Sequence, residues 1–147
     1  MRKISILSLS LLLALGMVSC GNSQSKNDTK VTANASAQES AAIITNVNTS
    51  QFQELIKSKP TAQIIDVRTP QEVAAGVIEG SKALDFYSPD FKENLNKLDK
   101  DAPVMVYCAV GGRSGNAMQM MKQMGFKEVY NLSGGYRAWA SQGLPTK

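Results

Sequence analysis

Cys108, Gly111, Gly112 and Arg113 stand within one short stretch, V-M-V-Y-C-A-V-G-G-R-S-G-N-A-M, over residues 104–118. A compact apolar, β-branched run precedes the cysteine and reads as a buried strand. Helical spacing begins at Ser114, with Ala117, Met118, Met121 and Met124 on one stripe. Cys108 is therefore expected at the tip of a strand, in a tight loop, directly before a helix. A helix start offers unpaired N–H groups and a partial positive charge. Gly111 and Gly112 let the backbone fold inward and aim N–H groups at one point. Ala109, Val110 and Ser114 complete such a cradle. A thiolate held there should have a pKa below that of a free cysteine. Arg113 adds a fixed cation suited to oxyanions. The chemistry implied is nucleophilic attack by sulfur inside an anion cradle. The plainer alternative is an inert buried cysteine followed by a glycine-rich turn.

The elements that must position this loop can be read from the rest of the chain. Residues 41–147 alternate short apolar runs with amphipathic stretches, which argues for α/β with a mainly parallel sheet. Residues 43–44, 62–67, 83–86, 104–107 and 129–132 read as strands. Thr49 or Ser50 caps a helix bearing Phe52, Leu55 and Ile56. Thr69-Pro70-Gln71-Glu72 is a capping box with proline at the first helical position. Ser88-Pro89-Asp90 opens another helix, with Phe91, Leu95 and Leu98 inward. The helix after Cys108 ends at Gly125. Gly134-Gly135 leads the last one, through Trp139 to about Gln142.

Three ordered stretches resemble the rhodanese family of sulfurtransferases. C-A-V-G-G-R-S-G is similar to its active-site loop. I-I-D-V-R-T-P-Q-E (residues 64–72) resembles its first signature, and Y-N-L-S-G-G-Y-R-A-W (residues 130–139) its C-terminal one. The resemblance covers about residues 43–145. It implies a rhodanese-like fold, with about five strands flanked by helices on both faces. It also implies Cys108 as a sulfur carrier that takes a sulfane sulfur from thiosulfate or a related donor. A persulfide would form and pass its sulfur to cyanide or a thiol, with no cofactor and no metal. Val77 stands where many family members carry histidine. Ala109 and Val110 are uncharged where some thiosulfate-using members have a basic residue, which weakens the case for that dianion. Other readings are a non-catalytic persulfide-binding or relay module serving a protein acceptor, or a cysteine-based phosphatase or arsenate reductase. The six residues from Cys108 to Arg113 favour sulfur, since related phosphatases have one more.

Asp66 and Arg68 fall at the end of a strand, where α/β sites collect. Either could enter the pocket. Alternatively, Asp66 caps loop N–H groups and Arg68 pairs with Glu72 or another carboxylate, and this is the favoured reading. Met118, Met121 and Met124 read as core, as does Trp139. Tyr107 either walls the pocket or fills the opposite face of its strand.

Composition narrows the field. The chain has no histidine, which excludes His-based metal sites, Ser-His triads and Cys-His dyads. Its formal charge is +4, and Arg2 and Lys3 account for two of those charges. The remaining +2 is scattered and does not imply nucleic acid. Residues 1–19 read as a signal peptide: a basic start, then a leucine-rich run too short to span a membrane. Cys20, after Ser19 and before Gly21, resembles a bacterial lipobox cysteine, with an ordinary thiol as the alternative. Residues 20–40 read as a lipidated N-terminus and flexible polar tether, with a coil reach of roughly 25 Å. The expected location is extracytoplasmic, anchored to a bacterial membrane by lipid, and facing the periplasm in a Gram-negative cell. Cys108 would then be the sole thiol of the mature protein, a flag for reactivity.

Overall fold

A computed structural model describes residues 41–147 of the chain. The expected signal peptide, the Cys20 lipidation site and the tether over residues 20–40 lie outside the described residues. Five parallel strands form one sheet in the order β1-β5-β4-β2-β3. They are β1 (Ile43–Val47), β2 (Gln63–Asp66), β3 (Lys82–Ala83), β4 (Val104–Tyr107) and β5 (Glu128–Leu132). Five helices alternate with them: α1 (Thr49–Ser58), α2 (Pro70–Ala74), α3 (Phe91–Asn96), α4 (Gly112–Gln123) and α5 (Gly135–Ser141). This is the expected α/β, rhodanese-like architecture.

Parallel strands are covered on both faces, so their inner members read as continuous apolar runs. All four residues of β4 are buried. Their alternation sends Val104, Val106 and Cys108 into one core with Phe91 and Leu95 of α3 and Ala117, Met118 and Met121 of α4. Met105 and Tyr107 enter the other core, with Phe52 of α1 and Trp139 of α5. Each Val, Leu, Met or Phe among them contributes about 1.5–3 kcal/mol by leaving water. Together they clamp β4 from both sides and fix where Cys108 emerges. Met118, Met121 and Trp139 are core residues, as read from sequence.

Four of the boundary differences have a local reason. β1 runs to Val47 rather than stopping at Ile44, because its whole length pairs with β5. It is an edge strand and tolerates Thr45 and Asn46. Helix α1 is capped by Asn48, not by Thr49 or Ser50. The Asn48 side chain accepts the Gln51 N–H at 2.9 Å, and the Gln51 side chain accepts the Asn48 N–H at 3.0 Å. β3 shrinks to two residues, since only Lys82 and Ala83 pair in register with β2. Helix α4 begins at Gly112 rather than Ser114, because Gly111 in the left-handed region serves as its N-cap.

Candidate active site

Cys108 follows β4 directly and is 1 % exposed. It is not the open surface thiol that a nucleophile at a loop tip suggests. The loop after it is held from both sides. From one side, the first N–H groups of α5 close on it: Tyr136 donates to the Cys108 carbonyl at 2.7 Å and Arg137 to the Ala109 carbonyl at 3.1 Å. Gly135 permits this approach. It has φ +58°, and a Cβ there would meet the Ala109 carbonyl carbon and the Val110 nitrogen at 2.5 Å. From the other side, α4 begins at once, with its positive end toward the sulfur.

Backbone donors converge on the thiol. The Gly111 N–H donates to Cys108 Sγ at 3.1 Å. Burial pushes the Cys108 thiol up, but the Ser114 hydroxyl and the N–H groups of Ser114, Val110 and Gly111 outweigh it. The net effect holds the group below the ordinary cysteine range. A thiolate is the form these donors favour. Of the loop residues 109–114, Gly111 is the one whose N–H makes a hydrogen bond to Sγ within 3.5 Å. Gly112 plays a lesser part than expected. A Cβ on it would meet nothing within 4 Å, whereas one on Gly111 (φ +98°) would strike the Ser133 carbonyl. The close approach belongs to Gly111 alone.

Arg113 is committed. Its Nη1 donates to Glu72 Oε2 at 2.8 Å and its Nη2 to Glu72 Oε1 at 2.6 Å. This forked pair ties the start of α4 to α2. The guanidinium carbon also lies 5.7 Å from the centre of the Tyr87 ring. Arg113, expected as a cation for oxyanions, is instead bound to Glu72, a geometry that holds the loop. Glu72 in turn accepts the Thr69 N–H and hydroxyl, each at 3.0 Å. The Arg113 hydrogen bonds, against burial and with help from Thr69, lower the Glu72 carboxyl from 4.5 to about 2.

That shift sets a pH dependence. A depressed folded pKa means the pair stabilises the fold above pH 4.5, and that this contribution fades as pH falls toward about 2. Glu72→Gln removes the titration. We expect its melting temperature to be lower than that of the unaltered protein at pH 7. Across pH 5 to 2.5 the two curves should converge. Parallel curves across that range would show that the pair does not couple to folding.

Asp66 and Arg68 are structural support. Both are buried, and Arg68 pairs with Asp66 rather than with the Glu72 carboxylate. Arg68 Nε donates to Asp66 Oδ1 at 2.9 Å and Nη2 to Oδ2 at 2.6 Å. The same guanidinium donates to the carbonyls of Glu72 and Gly76 and lies 4.0 Å from the Tyr136 ring centre. Burial opposes its charge, but Asp66 more than compensates and raises it. Asp66 Oδ1 also accepts the Arg68 N–H at 3.0 Å, the loop-capping role expected of it. Arg68 does line a shallow groove of about 340 Å³ with Pro70, Val73, Ala74, Ala83 and Asp85, but Cys108 does not. Tyr107 fills the opposite face, where its hydroxyl accepts the Ile78 N–H at 3.0 Å. Val77 is engaged through its backbone, exchanging hydrogen bonds with Lys147. Among the described residues no cluster of His, Cys, Asp and Glu could hold a metal ion.

A buried, thiolate-favouring cysteine stands between β4 and α4, backed by α5, in a parallel α/β sheet. The chain belongs to the rhodanese-like domain family, whose model matches residues 48–142. A sulfurtransferase from Allochromatium vinosum is 30 % identical over 103 residues, spanning 70 % of this chain and 94 % of that protein. Thiosulfate sulfurtransferase GlpE from Pseudomonas aeruginosa is 42 % identical over 81 residues, 54 % of this chain and 71 % of its own. Among solved structures, a rhodanese-related protein from Thermoplasma volcanium superposes with a TM-score of 0.61 at 29 % identity. That match covers 69 % of this chain and 96 % of the other. The polysulfide-sulfur transferase homodimer of Wolinella succinogenes gives 0.61 at 28 % identity, covering 72 % and 78 %.

Sequence reading missed three participants. Glu72 was visible as a capping residue but not as the partner of Arg113, since 41 positions separate them. Gly135 read as a helix leader rather than a contact with the loop. Asn131, which donates to the Gly111 carbonyl at 3.2 Å, carried one usable signal: a polar residue among the buried residues of β5.

Proposed function

We propose that the protein is a sulfurtransferase that carries sulfur on Cys108. The observation that supports this best is the Gly111 N–H on Cys108 Sγ, at the N-cap of α4. The Cys108 thiolate attacks the outer sulfur of thiosulfate or a similar sulfane donor. The donor's S–S bond breaks, and sulfite leaves with the electron pair. Cys108 then carries a persulfide, whose negative sulfur the same N–H groups stabilise. Cyanide or a thiol attacks the terminal sulfur, and the Cys108 thiolate returns. The kinetics are ping-pong and no cofactor takes part.

Charge at the site bears on the donor. Arg113 is neutralised by Glu72, and Arg68 by Asp66. Exposed apolar groups are nearby: Val110 in the loop is 53 % exposed and Tyr87, beside Arg113, is 68 % exposed. A donor or acceptor less charged than thiosulfate, including a protein thiol, suits this surface. The test is steady-state turnover with thiosulfate and cyanide, beside polysulfide and an aryl phosphate. Sulfur transfer with parallel-line kinetics supports the reading. Faster release of phosphate than of sulfur sinks it.

The membrane tether is part of the same proposal and rests on the lipobox-like Cys20. In a bacterial host, the full chain should partition into detergent phase and Cys20→Ser should stay in the aqueous phase. Equal partitioning of the two would remove the lipid anchor.

A further inference from the structure

Past Tyr107 the neighbouring strands no longer hold the chain. The Tyr107 carbonyl still accepts the Val67 N–H at 2.9 Å, from the end of β2. The next two carbonyls, of Cys108 and Ala109, turn instead to Tyr136 and Arg137. Those two residues lie in the first turn of α5, where N–H groups have no partner inside the helix. The Cys108 carbonyl belongs to the residue that carries the sulfur. The bond from Tyr136, at 2.7 Å, therefore sets the direction in which the loop leaves the sulfur-bearing Cα. Gly111 follows Cys108 by 3 residues, and so by as many peptide planes. The two bonds from α5 hold the first two planes. The last one carries the Gly111 N–H that reaches Sγ.

α5 must be anchored to hold those planes. Trp139 ties its far end, edge-on to Phe52 with ring centres 6.0 Å apart, and its Nε1 donates to the Pro145 carbonyl at 2.9 Å. Tyr136 ties the near end. The Arg68 guanidinium carbon lies 4.0 Å from the centre of its ring, a stacked cation–π contact. The Tyr107 ring lies 6.4 Å away, tilted by 25°. Arg68 is a fixed platform, because its donors reach the Asp66 carboxylate in β2 and the carbonyls of Glu72 and Gly76. Gly76 leaves room for the tip of the ring. It has φ +120°, and a Cβ there would meet the Tyr136 hydroxyl oxygen at 2.5 Å. Tyr136 thus has its ring keyed to β2 and α2, and its N–H keyed to the backbone of Cys108.

We propose that Tyr136 is a positioning residue for the sulfur chemistry: its ring, laid on the Arg68 guanidinium, fixes its own N–H against the Cys108 carbonyl and so aims the loop that brings the Gly111 N–H to the sulfur. The inference rests on the reading of Cys108 as the nucleophile. It gives the buried Asp66–Arg68 pair a part in the chemistry as the platform for that ring. Tyr136 acts through the backbone of Cys108 and not on donor or acceptor.

The test follows Cys108 alkylation by iodoacetamide across a pH series in the full chain, with the modified peptide identified by mass. Tyr136→Leu takes the ring off Arg68 and keeps the N–H. Its alkylation midpoint should rise by about one pH unit, the scale of one hydrogen bond lost from a charged group. Tyr136→Phe keeps a ring on the guanidinium and should keep the low midpoint. Should Tyr136→Leu fail to fold, Tyr136→Met also lacks the ring and carries the same expectation. If Trp139 alone anchors α5, a folded Tyr136→Leu keeps the midpoint even where it melts lower, and the proposal is overturned. It is overturned too if Tyr136→Phe moves the midpoint as far as Tyr136→Leu, since the stacked ring is then not what acts. A midpoint near that of free cysteine in the unaltered protein would overturn the Cys108 reading and this inference with it. A lowered midpoint there, left unmoved by Tyr136→Leu, removes this inference alone.

Discussion

Cys108→Ser should lower sulfur transfer by about a thousandfold or more, the scale on which removal of a covalent nucleophile acts. The expectation follows from where the donors point. The Gly111 N–H donates to Sγ at 3.1 Å, and the N–H groups of Val110 and Ser114 also favour the charged sulfur. No histidine exists to recruit a substitute nucleophile. The serine hydroxyl keeps an acceptor for the Gly111 N–H and nearly the same volume, so the fold should survive at a site only 1 % exposed. A hydroxyl there cannot hold a sulfane sulfur. Treating the unaltered protein with thiosulfate or polysulfide should add one sulfur, about 32 Da, to the peptide carrying Cys108, as expected of a reversible persulfide cap. The serine variant should show no gain at that peptide. Intact and peptide mass spectra decide it together with the turnover rate. Retained transfer in Cys108→Ser, or a sulfur adduct on another residue, would falsify the assignment of the carrier.

The loop, its cysteine and the elements around it were legible in sequence for a physical reason. β4 is an apolar run buried on both faces, α4 carries an apolar stripe, and the cysteine stands at their junction. Those are local signals. The capping box at residues 69–72 was local too, and it forms as read. What escaped were contacts across the sheet order. Strand order places β5 beside β4 although α4 lies between them in the chain. Nothing in spacing says that Asn131 will lie under Gly111, or that α5 will begin at the Cys108 carbonyl. The partner of Arg113 was hidden for the same reason, while Arg68 takes the other carboxylate open to it. Glu72 lies four residues after Arg68, yet Arg68 turns back to Asp66 and leaves Glu72 to an arginine on another helix. The edge strand β1 was underestimated because its polar interior residues face solvent on one side and Asn131 on the other.

The glycines divide the cradle most sharply, and they do so against their apparent equivalence in the motif. Gly111 has φ +98° and its missing side chain would collide with the Ser133 carbonyl. An L-residue in the left-handed region costs about 1–2 kcal/mol before any collision is counted. Relief of both strains requires the Gly111 N–H to swing off Sγ, so the loss reaches the chemistry and not the fold alone. Gly112 has ordinary helical geometry at the start of α4 and open space where a Cβ would go. Alanine is the better helix former by about 1 kcal/mol at an interior position, and somewhat less at an end. Gly111→Ala should therefore melt several degrees lower, lose most sulfur transfer, and alkylate only at a pH close to that of free cysteine. Gly112→Ala should melt at or slightly above the unaltered protein and keep a low alkylation midpoint. Gly135→Ala should resemble Gly111→Ala, because its Cβ would push against the backbone of residues 108–110 from the α5 side. Melting curves, turnover and the alkylation series on the three variants test this together. Equal damage from Gly111→Ala and Gly112→Ala would mean that the cradle is shaped by the pair. A Gly111→Ala protein with a low midpoint and full turnover would mean that its N–H is not what holds the charge on Cys108.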